Sequence, residues 1–471
     1  MDVTIQSQIQ SPLVRTLQSI PSNSANFVHG IPDNTPPFSK SSFVVDPDNH
    51  NVNDLNSVVK FKIPQNGRLS RMHLNLRMMG HQAQQDRVFT QGNDNPLNFA
   101  QSIEWVELRT HNNVIERLYP SNILFQAVSL AHDDNSQKHI LQGMIGYRML
   151  HSTRISVPEN PQYAYPLRTI LAVEEAGKHL SHQDFIILLP FSVCNYMKDN
   201  LQTRMMEDLE LYVKTKPHVS QAADISFAET SGLIPVDQNH FKLTLDYINF
   251  HENVEEVIRN ENFKPNIPAS ILSNDSLKFK ATYHSKKDVG GFTHFVYRTS
   301  LSCDALVTNM YINAIINVKN KYTRTIDMGG YGQYFKLTSG NEVITEGTKM
   351  EYDGIRAMQY STVQRQYQSS GVMSPRYSET ASHIRFGINN TDEFFDGGIS
   401  FQSLIDPMLE ITVVGNKVAA VDELFGFDEG AFQQTSFVGD PTVFSFDVVL
   451  KRKVLLRIDG NTGKIQKSLE S

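Results

Sequence analysis

A chain of 471 residues with 40% hydrophobic and 10% aromatic side chains is longer than one core usually serves and too apolar for a disordered protein. Its net charge of −7 and pI near 6.1 exclude a protein whose main task is to coat nucleic acid, because phosphate binding needs clustered Lys and Arg. Two cysteines, Cys194 and Cys303, can build neither a disulfide framework nor a four-Cys zinc site, and read as separate reduced thiols.

The N-terminus, MDVTIQSQIQ, lacks the basic and apolar regions of a signal peptide. Residues 1–54, rich in Ser, Asn, Pro and Gln, read as a poorly ordered or partner-dependent arm. Within it, DPDNHNVND (Asp46 to Asp54) has the acids of a calcium loop, but His50 fills a ligand position and Asn51 stands where the loop needs Gly. From residue 55 strict alternation dominates. In SRMHLNLRMM, Met72, Leu74, Leu76 and Met78 face one way and Arg71, His73, Asn75 and Arg77 the other. FKLTLDY (Phe241 to Tyr247) and NMYINAIINV (Asn309 to Val318) repeat the pattern, the second with Met310, Ile312, Ala314, Ile316 and Val318 on one face. Period-two runs separated by Gly, Pro, Asn and Asp predict an all-β, antiparallel sandwich protein. The strongest apolar run, FIILL (Phe185 to Leu189), is strand-sized, so the sequence predicts a soluble chain that does not span a membrane. Helices are expected in only two places, Asn195 to Asp208 and Glu252 to Asn262.

The strands come twice. VELRTHNNVIER (Val106 to Arg117) aligns without a gap on FKLTSGNEVITE (Phe335 to Glu346), matching Leu108 with Leu337, Val114 with Val343 and Ile115 with Ile344. Four more pairs follow in the same order: GRLSRMHLNL with ALVTNMYINA, FSVCN with FGINN, LELYV (Leu209 to Val213) with LEITV (Leu409 to Val413), and FKLTLDYI with FSFDVVLK. One match can arise by chance; five in sequence order point to a duplication, with each half long enough for an eight-stranded sandwich. The division expected is an arm at 1–54, a first sandwich at 55–251, a linker helix and connector at 252–270, a second sandwich at 271–458 and a tail at 459–471. Long polar loops lie at 131–152, 161–181, 357–382 and 415–440.

Chemistry is sparse. No GxGxxG, P-loop, GxSxG or HExxH occurs. MGGYGQ (Met328 to Gln333) reads as a turn before a strand. Glu174, Glu175, His179 and His182 could converge as metal ligands on one helical face, but they sit in a predicted loop, so no metal site is assigned. Glu104 and Glu107, three apart in a strand, point to opposite faces and make a poor acid pair. Trp105, the single tryptophan, shares a face with Glu107 and Arg109 and reads as half-buried and structural. Lys451-Arg452-Lys453 reads as a charged strand end. The sequons at Asn274 and Asn389 carry no weight without secretion. No catalytic, cofactor-binding or metal-ligating residue follows from the sequence, and no enzyme is expected.

Three passages resemble a known family. They are IEWVELRTHNNVIERLYPSNI (Ile103 to Ile123), KLTLDYINFHENVEEVIRN (Lys242 to Asn260) and the paired LELYV and LEITV. Together with the strand order they look like the double jelly-roll major capsid proteins of icosahedral double-stranded DNA viruses, a group that includes virophages, polinton-like viruses and large nucleocytoplasmic viruses. The resemblance covers roughly residues 55 to 458. It implies two tandem eight-stranded jelly rolls with a short linker helix and long loops. It further implies a homotrimer that imitates a hexagon and tiles a viral shell, so that the chain is a virion protein with itself, neighbouring capsomers and minor capsid or penton proteins as partners. Contact of the arm or tail with an internal membrane is part of the same expectation, and no cofactor or specific nucleic acid is. The competing readings are a two-domain carbohydrate-binding protein or enzyme and a minor capsid or vertex protein. The first would need an aromatic-lined groove and a convergent acid pair.

Overall fold

The computed structural model describes residues 38–48, 58–79, 103–111, 113–121, 123, 182–194, 201, 203–206, 208–215, 240–250, 269–290, 292–318, 322–325, 332–349, 351–352, 381–386, 397–416, 442, 444–458 and 465–469. The expected helix at Glu252 to Asn262 and almost all of the four long loops lie outside these residues. In the described part of the expected helix at Asn195 to Asp208, the chain forms only a 3-10 turn at Thr203–Met205.

The first half supplies eight strands: β1 (Phe38–Val45), β2 (Val58–Lys62), β3 (Arg68–Met79), β4 (Ile103–Thr110), β5 (Asn113–Leu118), β6 (His182–Leu189), β7 (Leu209–Thr215) and β8 (Lys242–Phe250). They form two four-stranded antiparallel sheets in the orders β1-β8-β3-β6 and β2-β7-β4-β5. Eight strands shared between two sheets in this interleaved order are a jelly roll, built from two Greek keys. The alternation read from the sequence is what closes it. Met72, Leu74, Phe241, Leu243, Leu245 and Tyr247 are fully buried, while Arg71 is exposed and His73 and Asn75 are half-buried.

The second half repeats the plan with β9 (Ala269–Val289), β10 (Phe292–Ser300), β11 (Leu306–Val318), β12 (Tyr322–Thr325), β13 (Gly332–Ser339), β14 (Glu342–Thr348), β15 (Ala381–Arg385), β16 (Ile399–Ser400), β17 (Pro407–Asn416), β18 (Phe444–Ile458) and β19 (Ile465–Leu469). β18 lies between β9 and β11, and β11 also pairs β15, which reproduces the order of the first sheet. The run β10-β17-β13-β14 reproduces the second. One difference follows from the 21-residue length of β9. It pairs β18 through Ala269–Thr282 and β10 through Thr282–Val289, so a single strand passes from one sheet into the other.

The duplication holds down to local irregularities. A β-bulge interrupts the β4–β5 ladder between Leu108 and Arg109, and the β13–β14 ladder between Leu337 and Thr338. A second bulge sits between Leu69 and Arg71 in β3 and between Val307 and Asn309 in β11. The bulged residues act alike: Ser70 Oγ donates to Asp246 O (3.0 Å), and Thr308 Oγ1 donates to Lys451 O (3.4 Å). The turn residues His111 and Gly340 both have positive φ, as do Asp208 and Asp406 ahead of β7 and β17. Two sequence alignments shift, however. Leu108 pairs Leu211 whereas Leu337 pairs Leu409, so LELYV and LEITV correspond with Leu211, not Leu209, opposite Leu409. Likewise Met72 pairs Leu245 and Met310 pairs Leu450, which moves FKLTLDYI by two residues against FSFDVVLK. A two-residue slip keeps every side chain on its face, so alternation alone cannot detect it.

Candidate functional site: the seam between the sandwiches

The core face of the second sandwich is an ordinary one, with Met310, Ile312, Ala314, Phe446, Val448 and Leu450 buried together. On the opposite face of the same strands Tyr311 and Val449 are also buried, and they join the hydrophobic cluster of the first sandwich, as do Val454 and Leu456. β11 and β18 are therefore covered on both faces, and the outer one lies against the first sandwich. The half-polar alternation of NMYINAIINV hid this, because Asn309 and Asn313 on that face are buried as well.

The seam's centre is polar. β5 is the edge strand of its sheet and lies against β9. An edge leaves backbone N–H groups without a ladder partner; here the N–H of Arg117 donates to Asp275 Oδ1 at 3.1 Å. Asp275 also accepts from Arg452 Nη2 (2.9 Å) and Lys467 Nζ (2.7 Å). Burial alone would raise its carboxyl, but Lys467 and Arg452 outweigh that and hold it below the usual carboxylate range. One step along β5, Glu116 is fully buried on the core side, paired in register with Leu108. Its Oε2 accepts from Ser192 N (2.8 Å) and Ser192 Oγ (2.7 Å), in the 3-10 turn Ser192–Cys194 that follows β6. With its proton directed at Glu116, Ser192 Oγ accepts from Ser273 Oγ (2.8 Å) and from Asn274 N (3.1 Å) of β9. Glu116, Ser192 and Ser273 thus form one relay from the first sandwich to the second. Burial pushes the Glu116 carboxyl up to about 8 against the opposing pull of the Ser192 donors and Lys451.

The basic triplet corrects a sequence reading. Lys451 and Lys453 are buried and Arg452 is held by Asp275, so they form the middle of β18 inside the seam and not a charged strand end. The segment from Lys451 onward runs on as β18 to Ile458 and returns as β19 against it. Arg452 itself is half-buried, and the carboxylate that meets this run, Asp275, is distant in sequence and brought there only by the fold.

On the outer face of β4, Glu107 is buried and held by Arg109 and Arg117. Trp105 lies between those guanidinium groups, 6.0 and 5.7 Å from its ring, and packs half-buried as expected. Glu104 pairs Lys214 at 3.0 Å, so the two acids are occupied separately. Cys194 and Cys303 are free and buried, and burial raises both thiols above their ordinary range. Asn274 is buried in β9, where no glycan could be attached. Glu174, Glu175 and His179 lie outside the described residues, as do His50 and Asn51; of His182 only the backbone is placed, at the start of β6. Among the described residues no group of three or more His, Cys, Asp or Glu could hold a metal ion.

Two sandwiches of jelly-roll order in one chain define the double jelly-roll fold. No protein-family model matches the sequence, and no curated protein matches it. Solved structures do match. PBCV-1 VP54, as fitted into a reconstruction of the virophage Sputnik, aligns with 94% of this chain and 99% of its own at a TM-score of 0.56 and 11% identity. The chain of the PBCV-1 virus capsid model aligns with 93% and 98% at 0.56 and 10% identity. The Faustovirus major capsid protein aligns with 97% and 100% at 0.52 and 8% identity. The fold expected from the sequence is therefore the fold observed, two tandem antiparallel jelly rolls.

Proposed function

We propose that the chain is a structural major capsid protein, a homotrimer whose six sandwiches form a pseudo-hexagonal block that tiles an icosahedral shell. The observation that carries the reading is the alignment of 97% of this chain with the whole Faustovirus major capsid protein. The internal equivalence of the two sandwiches supports it, since a threefold assembly of duplicated units has nearly sixfold outline. The domain division that goes with it keeps units divided at 252–270, with the strands Phe38–Val45 and Ile465–Leu469 counted with the first and second units. Its partners are copies of itself, neighbouring capsomers and minor capsid or penton proteins; its place is the virion. It acts by assembly and not by catalysis, which accords with the separate occupation of Glu104 and Glu107 and with inert thiols.

Native mass measurement and negative-stain imaging of the purified protein test this reading. Trimers of the 53.3 kDa chain with hexagonal outline are expected. A monomer at every concentration and ionic strength would sink it.

A further inference from the structure

The two sandwiches share a plan, so a residue that breaks the equivalence is informative. Glu116 is one. Its counterpart, opposite Leu337 as Glu116 is opposite Leu108, is Thr345, whose hydroxyl is hydrogen-bonded to Tyr352 at 2.8 Å. The hairpin therefore does not need a carboxyl there. The first sandwich nevertheless carries one, fully buried, in the relay to the second. One oxygen takes both Ser192 donors, while Glu116 Oε1 has no hydrogen-bond partner among the described residues. A fully buried carboxyl with one oxygen bare lacks the full set of donors that would hold it ionised, so the site favours the neutral acid.

We propose that Glu116 is a proton-operated latch: its neutral carboxyl closes the seam between the sandwiches, and its ionisation loosens it. The charged and titratable groups around it decide the direction. From β9 comes Asp275, an anion already taken up by Arg452 and Lys467. From β18 come Lys451 and, further along, Lys453, both buried. From the turn after β6 comes the Cys194 thiol, and on its own strand Arg117 is turned to Glu107. Among the described residues Lys451 is the cation set against the Glu116 charge, and burial outweighs it. The latch therefore holds fully below the ordinary glutamate range. As pH rises from there toward about 8, the unfolded chain ionises and the folded one does not, which weakens folding by up to about tenfold per pH unit. Above that, the seam itself holds an ionised carboxylate.

Hydrogen exchange of the full chain, pulse-labelled and corrected for intrinsic rates, tests this on the amides of Asn113–Leu118 and Ser273–Ser276. Protection in the unaltered protein is expected to fall by about tenfold or more between pH 6.5 and 9. Glu116→Gln, neutral and of the same shape, should remove that fall. Ser192→Ala, which deletes a donor to the charged form, should move the midpoint to higher pH. An undiminished alkaline loss in Glu116→Gln overturns the proposal. So does a midpoint in Ser192→Ala that stays in place or moves down, and this second variant decides if the first does not fold.

Discussion

Asp275 accepts the backbone N–H of Arg117 at 3.1 Å, so a carboxylate of the second sandwich completes the edge of a sheet in the first. The same carboxylate is bound by Arg452 and Lys467. Replacing the buried Asp275 by Ala leaves those half-buried cations without their anion and is expected to cost about 3 kcal/mol in denaturant unfolding, the low end for breaking a buried pair. Because this carboxyl is held below its ordinary range, its contribution is present above the unfolded value. It is lost as pH falls below about 4, so the variant and the parent should converge in acid.

Leu108 and Leu337 are equivalent and both fully buried, facing Leu211 and Leu409 across their ladders. Truncating either to Ala should cost about 2–5 kcal/mol. Equal losses, measured on the full chain by denaturant titration, are the expected mark of one packing plan used twice. An exposed residue in the same hairpin, Val343, should tolerate Ala within about 0.5 kcal/mol.

His111 occupies with φ of 50° the turn position that Gly340 fills with φ of 56°. A non-glycine residue there carries about 1–2 kcal/mol of steric cost. His111→Gly removes it at the expense of the exposed His111–Asp208 pair at 3.5 Å, worth about 0–1 kcal/mol. A small rise in melting temperature is expected from His111→Gly, and a fall from Gly340→His.

Gly398 packs where an added Cβ would lie 2.6 Å from the carbonyl oxygen of Val307. That neighbour is backbone in the β11–β16 pairing and cannot rotate away. Gly398→Ala should therefore destabilise the second sandwich by about 1–3 kcal/mol, read as a lower midpoint with an unchanged denaturant slope.

The hairpins were legible because their turn chemistry and alternation coincide, and the bulges fall at the matched positions. Strand order was legible for the same reason. Registry was legible only modulo two, as the shifts of Leu211 and Leu245 show, since period-two patterning is blind to a slip that keeps the face. The seam was not legible. Glu116 reads as one more polar residue of VELRTHNNVIER, and Lys451 to Lys453 read as a charged strand end. Their burial depends on partners drawn from β5, β9, β18 and β19, which no local window contains.

The long strand β9 makes the two sandwiches mechanically unlike. In the first, no ladder among the described residues joins its two sheets, which are tied instead by side-chain packing, the short connection from Lys62 to Arg68 and single backbone bonds such as Asp48 N–H to Lys60 O. In the second, the sheets share β9, and parting them means unzipping Phe292–Arg298 from Thr282–Val289 one backbone bond after another. A load carried through this chain would therefore be met by a compliant half and a stiff half, with deformation gathered in the first.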